Sequence, residues 1–300
     1  MKPTLGADFI TTISKRPSKN ATLGKINTTA NINDLNFTLK NQSPENALQI
    51  NASTGILTVN DETLFDINTN ESITGEVLIT SGELTQLVNV EIGLELPEET
   101  IKYFKDIALG FEFGNASEIT RKWMSDMKIF VGGSPSINLS SELKEIIRDI
   151  NELTPQTFSI ELVTDSLVSN YYIYFGSGSS YAQIFPSQRS LVASNWGLFT
   201  IYWNGSNELN RGHMYVDVNR ANTLEERHLL REELTQSLGL AKDSPLYLES
   251  IFQQSFSTKT TEFSDIDKDL IYLLYHPDME IGLNSFQVDS KLRNILRAEW

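Results

Sequence analysis

The sequence predicts two domains, an all-β sandwich over residues 1–95 and an α+β domain over 96–300. Three observations lead there. The chain has 300 residues, too many for one small domain. Residues 1–95 hold short alternating apolar runs separated by turn residues. The character then changes at LELPEETIKYFKDIALGFEFG, where Pro97 followed by Glu98 and Glu99 forms a first helical turn with carboxylates at the positive end.

In the first domain the strand candidates are LNFTL, LQIN, GILTV, GEVLIT and LVNVEIGL, with no helical period among them. In the second, KIFVGG (128–133) reads as a strand entering a glycine turn. Asn138 or Ser140 caps a helix over SSELKEIIRDINELT, with Leu143, Ile146, Ile147 and Ile150 on one face. FSIELVTD, NYYIYFGS, LFTIYWNG and GHMYVDVN read as strands. GSGSSYAQ (176–183) reads as a strand-to-strand loop, since it lacks the ending of a phosphate-binding loop. A helix covers roughly 222–238, begun by Asn222 or Thr223 and stopped by Gly239. The final helix runs from about Ser264 to Tyr275, with Ser264 and Asp267 as a cap.

Composition narrows the function classes. A net charge of −15 and a pI near 4.7 exclude the basic face that nucleic acid or an anionic membrane needs. They leave a solvated acidic surface or cation binding. Zero cysteines exclude disulfides, thiolate catalysis and thiolate-bound zinc. No apolar run approaches the ~20 residues of a transmembrane helix. The chain starts MKPTLGADF without an apolar signal core, so it is either cytoplasmic or a mature form with a trimmed export signal. No Ser-His-Asp arrangement and no nucleophile elbow is visible. Tyr171, Tyr172, Tyr174, Trp196, Tyr202 and Trp203 cluster around the predicted sheet. At a period of two, half belong in the core, and an exposed row would mark a peptide or carbohydrate surface.

The most informative stretch is HLLREELTQSLGLAKDS (228–244). Residues four apart share a helix face, so His228, Glu232 and Gln236 form a polar stripe opposite Leu230, Leu234 and Leu238. A solvated face is the plain reading of such a stripe. The order of this helix, Gly239, SIF (250–252), a polar loop and FSDIDKDLIYLLY (263–275) resembles the zincin metallopeptidases, especially the metzincins. EELTQSLGL, SIF and LIYLLYHPDM resemble more closely the uncharacterised bacterial zincin-like DUF2927 type, over about residues 100–300.

The resemblance implies positions. The first zinc histidine falls on Glu232, the general-base glutamate on Glu233 and the second histidine on Gln236. The turn glycine falls on Gly239 and the third ligand on Lys242. Only the base and the glycine are retained. Catalytic zinc wants three imidazole or carboxylate ligands and an open water position. An amide and an ammonium do not serve, so no cofactor is expected. Lys242 is expected to neutralise Glu232 or Glu233 where the cation stood, with Gln236 completing the hydrogen bonds. Two alternatives stay open. His228 and Glu232 form an i, i+4 metal pair completed by His213 or His276, without the peptidase geometry. Or Glu232, Glu233, Gln236 and Asp243 offer oxygens to calcium or magnesium.

In the first domain, LNFTL, ALQINASTGILTVND and ETLFDINTNES resemble a cadherin repeat, the hairpin from Ile50 to Ile56 being the specific part. The resemblance implies weak or no calcium, because Asn68 stands where a glutamate would follow Asp66. It also implies an extracellular or cell-envelope setting. The expected function is non-catalytic recognition or adhesion, with the peptidase cleft kept as a peptide- or glycan-binding groove. The alternatives are a divergent metallopeptidase using Glu233 as base and a pure surface spacer.

Overall fold

The computed structural model describes residues 4–29, 34–111, 116–154, 158–255 and 260–300. The polar loop expected after Phe252 includes 256–259, which lie outside the described residues. The chain divides into two compact units, Met1–Pro97 with Arg293–Trp300, and Glu98–Leu292. Residues 293–300 therefore count with the first unit rather than with the domain expected over 96–300. Among the described residues no helix is long and apolar enough to cross a membrane.

The first unit is all β. Strands β1 (Phe9–Ile13), β7 (Leu84–Leu94), β6 (Ser72–Ser81) and β3 (Asn36–Ser43) form one sheet in that order. β1 runs parallel to β7, and the other pairs are antiparallel. Strands β2 (Thr22–Lys25), β5 (Ile56–Val59) and β4 (Leu48–Ile50) form a second, antiparallel sheet. Alternation puts Ile73, Val77 and Ile79 of β6 and Val88, Val90 and Ile92 of β7 inside, with Phe37, Leu57 and Val59 from their neighbours. The Asn51 side chain accepts from the backbone of Ser53 and Thr54 and shapes the β4–β5 hairpin. Asp66 accepts from Asn68 and lies 3.7 Å from Arg16, so its carboxylate is engaged within the unit.

The second unit is α/β. Its sheet has the order β10 (Ile160–Val163), β9 (Met127–Gly133), β11 (Tyr171–Phe175), β13 (Glu208–Val216) and β12 (Gly197–Trp203). The first four are mutually parallel, and β12 is an antiparallel edge strand. A two-residue β8 (Lys122–Trp123) adds to the start of β13. Parallel strands need covered faces. One face carries α2 (Ile137–Leu153) and α4 (Thr223–Gln236), and the other carries α3 (Gly178–Ile184). Alternation assigns the faces. Leu198 and Tyr215 pack on Tyr181 of α3, while Gly197 abuts Glu233 of α4. Helices α1 (Glu98–Ala108) and α5 (Asp265–Tyr275) pack together, and α6 (Ser285–Ala298) follows, its residues from Arg293 onward counting with the first unit.

Three expectations need correction. GSGSSYAQ is not a loop: Ser177 caps α3 and the fully buried Tyr181 anchors it. The cap of α2 is Ser136, not Asn138 or Ser140. The helix ending at Tyr275 is not the last, since α6 follows it.

His213 of β13 sits between the sheet and α3. Its Nδ1 meets the Tyr181 hydroxyl at 2.5 Å, its Nε2 meets Tyr202, and its ring stacks on Phe185 at 3.7 Å. Burial, with the Arg211 charge beside it, pushes its pKa down from 6.5 to about 4. The native imidazole stays neutral where the unfolded chain takes up a proton, so acid favours unfolding. Stability is expected to fall by up to about 3 kcal/mol between pH 6.5 and pH 4 from this group. Thermal melts of wild type and His213→Gln across that window check it, because the variant lacks this part of the slope.

Candidate functional site

Helix α4 begins at a capping box. Asn222 accepts from the backbone of Leu224 and Glu225, and the Glu225 carboxylate accepts from the Asn222 N–H. Leu230, Leu234 and Leu238 are fully buried, as their spacing requires. The helix stops at Gly239, whose φ of +111° suits glycine. A Cβ there would lie 2.0 Å from the Arg121 carbonyl oxygen, so no side chain fits. The last turn is tied down from outside, as Trp123 Nε1 donates to the Ser237 carbonyl and the Tyr275 hydroxyl to the Leu238 carbonyl. This is the job of the Leu-Tyr ending on α5: it supplies a donor to the orphan carbonyls of α4.

The polar stripe is not a solvated face. His228 and Gln236 are each 4 % exposed, and the Glu232 side chain is largely buried. His228 donates through Nδ1 to the Thr260 carbonyl at 2.6 Å, and its Nε2 lies 3.3 Å from the Glu232 carboxylate. Burial alone would push the His228 pKa down. The Glu232 hydrogen bond and charge, with the Thr260 carbonyl, outweigh burial and raise it. Gln236 Nε2 donates to Asp243 at 2.6 Å.

Lys242 does not do what was expected of it. Its ammonium pairs with Glu118 at 3.1 Å rather than with Glu232 or Glu233. Its neighbour Asp243 is the one bonded to Gln236, while Lys242 reaches Glu118. The residue that joins the stripe is Asp243.

The metal alternatives fare no better on chemistry. His213 is engaged by Tyr181 and Tyr202 and stacked on Phe185, and His276 lies at the end of α5 facing Asp278, so neither completes a set with His228. The positions that the resemblance gives to zinc hold a carboxylate bonded to a histidine, an amide bonded to Asp243 and an ammonium bonded to Glu118. Among the described residues no group of three His, Cys, Asp or Glu side chains is arranged to hold a metal. The donor set does not fit catalytic zinc.

Over this helix lies a groove of about 1170 Å³. α4 supplies its floor with His228, Leu229, Glu232, Glu233 and Gln236. β12 supplies its wall. Gly197, Leu198, Phe199, Thr200 and Ile201 all touch the groove, members of both alternating sets. It therefore runs along the open edge of the strand, not over one face. Gly197 brings the two elements together, since a Cβ there would come within 2.6 Å of a Glu233 carboxylate oxygen. Trp196 and Trp203 stand at the rim, 40 % and 39 % exposed. Trp203 is packed between Phe111, stacked at 5.2 Å, and the buried Arg121 guanidinium 4.5 Å from its ring. Sequence reasoning had the stripe and the aromatics but not their meeting along β12, a contact between residues some thirty positions apart that no local spacing encodes.

No curated protein matches the chain. Among solved structures, protocadherin gamma B2 extracellular cadherin domains 3–6 are similar at 17% identity and a TM-score of 0.28, over 31% of this chain and 22% of that one. The third cadherin domain of human protocadherin 7 is similar at 10% identity and a TM-score of 0.28, over 32% of this chain and 85% of that one. Human protocadherin-24 EC1-2 is similar at 10% identity and a TM-score of 0.27, over 41% and 48%. The chain thus spans about a fifth of the length of the first of these. Residues 97–294 match the family described as "Protein of unknown function (DUF2927)", about two thirds of the chain, and the protein belongs to that family.

Proposed function

We propose that the second unit is a non-catalytic, zincin-like recognition module that binds an extended peptide in the groove between α4 and β12. The observation that carries this reading is the groove's course along an open strand edge. Among the described residues β12 has a single strand partner, β13. Alternate N–H and C=O groups on its other side can pair with an incoming strand, the commonest way a sheet edge recognises a peptide. Phe199, Ile201 and Trp203 add apolar surface for side chains, and two rim tryptophans suit ligand contact. The layout supports a zincin-like origin: four parallel strands, an antiparallel edge strand at the cleft, and a helix beneath it stopped by a glycine. Catalysis is set aside on donor chemistry, because Glu233 has no metal-bound water to activate in a site of this composition. With a cadherin-like first unit, the setting we propose is a cell envelope or surface.

Two rim tryptophans make the test direct. Tryptophan fluorescence of the full chain, titrated with an extended pentapeptide, is expected to change saturably. The same peptide N-methylated at alternate amides is expected to lose the response, because it can no longer pair with β12. A glycan that competes while N-methylation has no effect would favour carbohydrate. Peptide cleavage that disappears in Glu233→Gln would overturn the non-catalytic reading.

A further inference from the structure

We infer that the groove selects a cationic side chain, so that a bound peptide places a lysine or arginine over the Glu232, Glu233 and Asp243 end of α4. This rests on the peptide-groove reading and adds the chemistry of the occupant. The first support is charge. The described lining includes Glu225, Glu232, Glu233 and Asp243 and no lysine or arginine, with His228 as its one possible cation. Hydrogen bonds such as that from Gln236 to Asp243 use a carboxylate's lone pairs but leave its charge. A cleft lined by one sign of charge with apolar walls focuses its potential and draws the opposite sign.

The second support is where the nearby cations go. Lys242 turns outward to Glu118. Arg220 is held by Asp217, and Arg227 and Arg231 by Glu142 behind the helix. Arg121 donates to Ser117 while its guanidinium lies against Trp203. The fold brings these cations close to α4 but sets none of them in the described lining, where Arg121 and Arg220 only back the rim rings of Trp203 and Trp196. The third support is shape. Gly197, Phe199 and Ile201 form the α4-facing set of β12, and the missing side chain at Gly197 lets the Glu233 carboxylate pack against the wall. A long aliphatic stem can lie along Phe199 and Ile201 and carry its charged end to the carboxylates. An anionic or small neutral side chain gains nothing from that path.

Three acetylated and amidated pentapeptides, Thr-Val-Xaa-Val-Thr with lysine, glutamine or glutamate at the centre, test this by tryptophan fluorescence on the full chain at about 150 mM salt. The lysine peptide is expected to bind on the order of tenfold more tightly than the glutamine peptide, with the glutamate peptide weakest. Asp243→Asn and Glu232→Gln are expected to reduce the lysine preference while leaving the glutamine peptide's affinity in place, and Lys242→Ala to leave both unchanged. The comparison among peptides on the unaltered protein stands even if a variant folds poorly. Equal binding of the lysine and glutamine peptides overturns the charge inference and leaves the groove reading intact. Tightest binding of the glutamate peptide overturns it as well. Failure of every peptide removes both.

Discussion

Replacing Glu142 by Ala is expected to lower the stability of the second unit by about 3–5 kcal/mol. Glu142 lies on α2, 4 % exposed, with its carboxylate between two arginines of α4. Arg231 Nη2 is 3.1 Å from one oxygen and Arg227 Nε is 2.6 Å from the other. Arg231 is itself 3 % exposed, packed over the Phe263 ring at 4.6 Å, and its Nε has no partner. Its remaining anion is Asp149, at 3.1 Å. Removing Glu142 therefore leaves a guanidinium in the interior with a half-open carboxylate as its one counter-charge. The cost is the desolvation that the pair was offsetting, not the worth of one contact. Two controls separate these. Glu142→Ala combined with Arg231→Met is expected to recover much of the loss, because the stranded charge goes with it. Glu152→Ala removes an exposed carboxylate of the same helix, 4.0 Å from Arg148, and is expected to change stability by less than about 0.5 kcal/mol. Denaturant unfolding followed through the second unit's transition reads all three. A Glu142→Ala loss no larger than the Glu152 control would mean that α2 and α4 are not held by this network.

That network was not legible in the sequence, although its parts were. The apolar face of α2 and the Leu230, Leu234 and Leu238 face of α4 follow from period alone, and the structure buries both. Asn222 and Gly239 follow from capping chemistry and stand where expected. Position opposite a partner is different. Glu142 and Arg231 are 89 residues apart, and nothing local pairs them. The stripe of His228, Glu232 and Gln236 fails for a related reason: a buried polar row facing a groove has the same spacing as a solvated one.

The helices that were missed divide into two kinds. α6 carried a readable signal. Asn284 and Gln287 cap each other reciprocally, and Val288, Leu292 and Ile295 follow at helical spacing, all buried. α3 carried none. Glycine and serines are poor helix formers, and this one is fixed by Tyr181 in the core and by Asp217 accepting from the Gly178 N–H. Lys242 and Asp243 show the finest limit. Which of two neighbours enters the site depends on the path of the backbone after Gly239, and no local spacing encodes that path.

Asp267→Ala is expected to be the most damaging single change in the second unit, at about 4 kcal/mol or more. Asp267 is fully buried at the start of α5, and its carboxylate accepts four hydrogen bonds. Ser250 Oγ donates to Oδ1, while the Ile251 N–H, the Ser264 N–H and the Ser264 hydroxyl all donate to Oδ2. Ser250 in turn accepts from the Tyr103 hydroxyl of α1 and from the Phe252 N–H. One carboxylate thus fixes the cap of α5, the 250–252 turn and, through Ser250, helix α1. Truncation strands buried donors that water cannot reach, each costing about 1–3 kcal/mol, and removes the helix cap as well. Asparagine separates charge from connectivity. Its amide oxygen can take the place of Oδ2 and keep three of the four donors satisfied, so Asp267→Asn is expected to cost about 1–2 kcal/mol. Hydrogen exchange gives a second readout. In Asp267→Ala the Ile251 and Ser264 amides should lose protection first, since both depend on that oxygen. Equal stability of the Ala and Asn variants would show that the network contributes little and that packing of the surrounding side chains holds this corner. The consequence reaches the groove. Tyr275 at the far end of α5 supplies the hydroxyl that closes the last turn of α4. A loosened α5 is therefore expected to weaken peptide binding even though Asp267 does not line the groove, and the two variants should rank in binding as they do in stability.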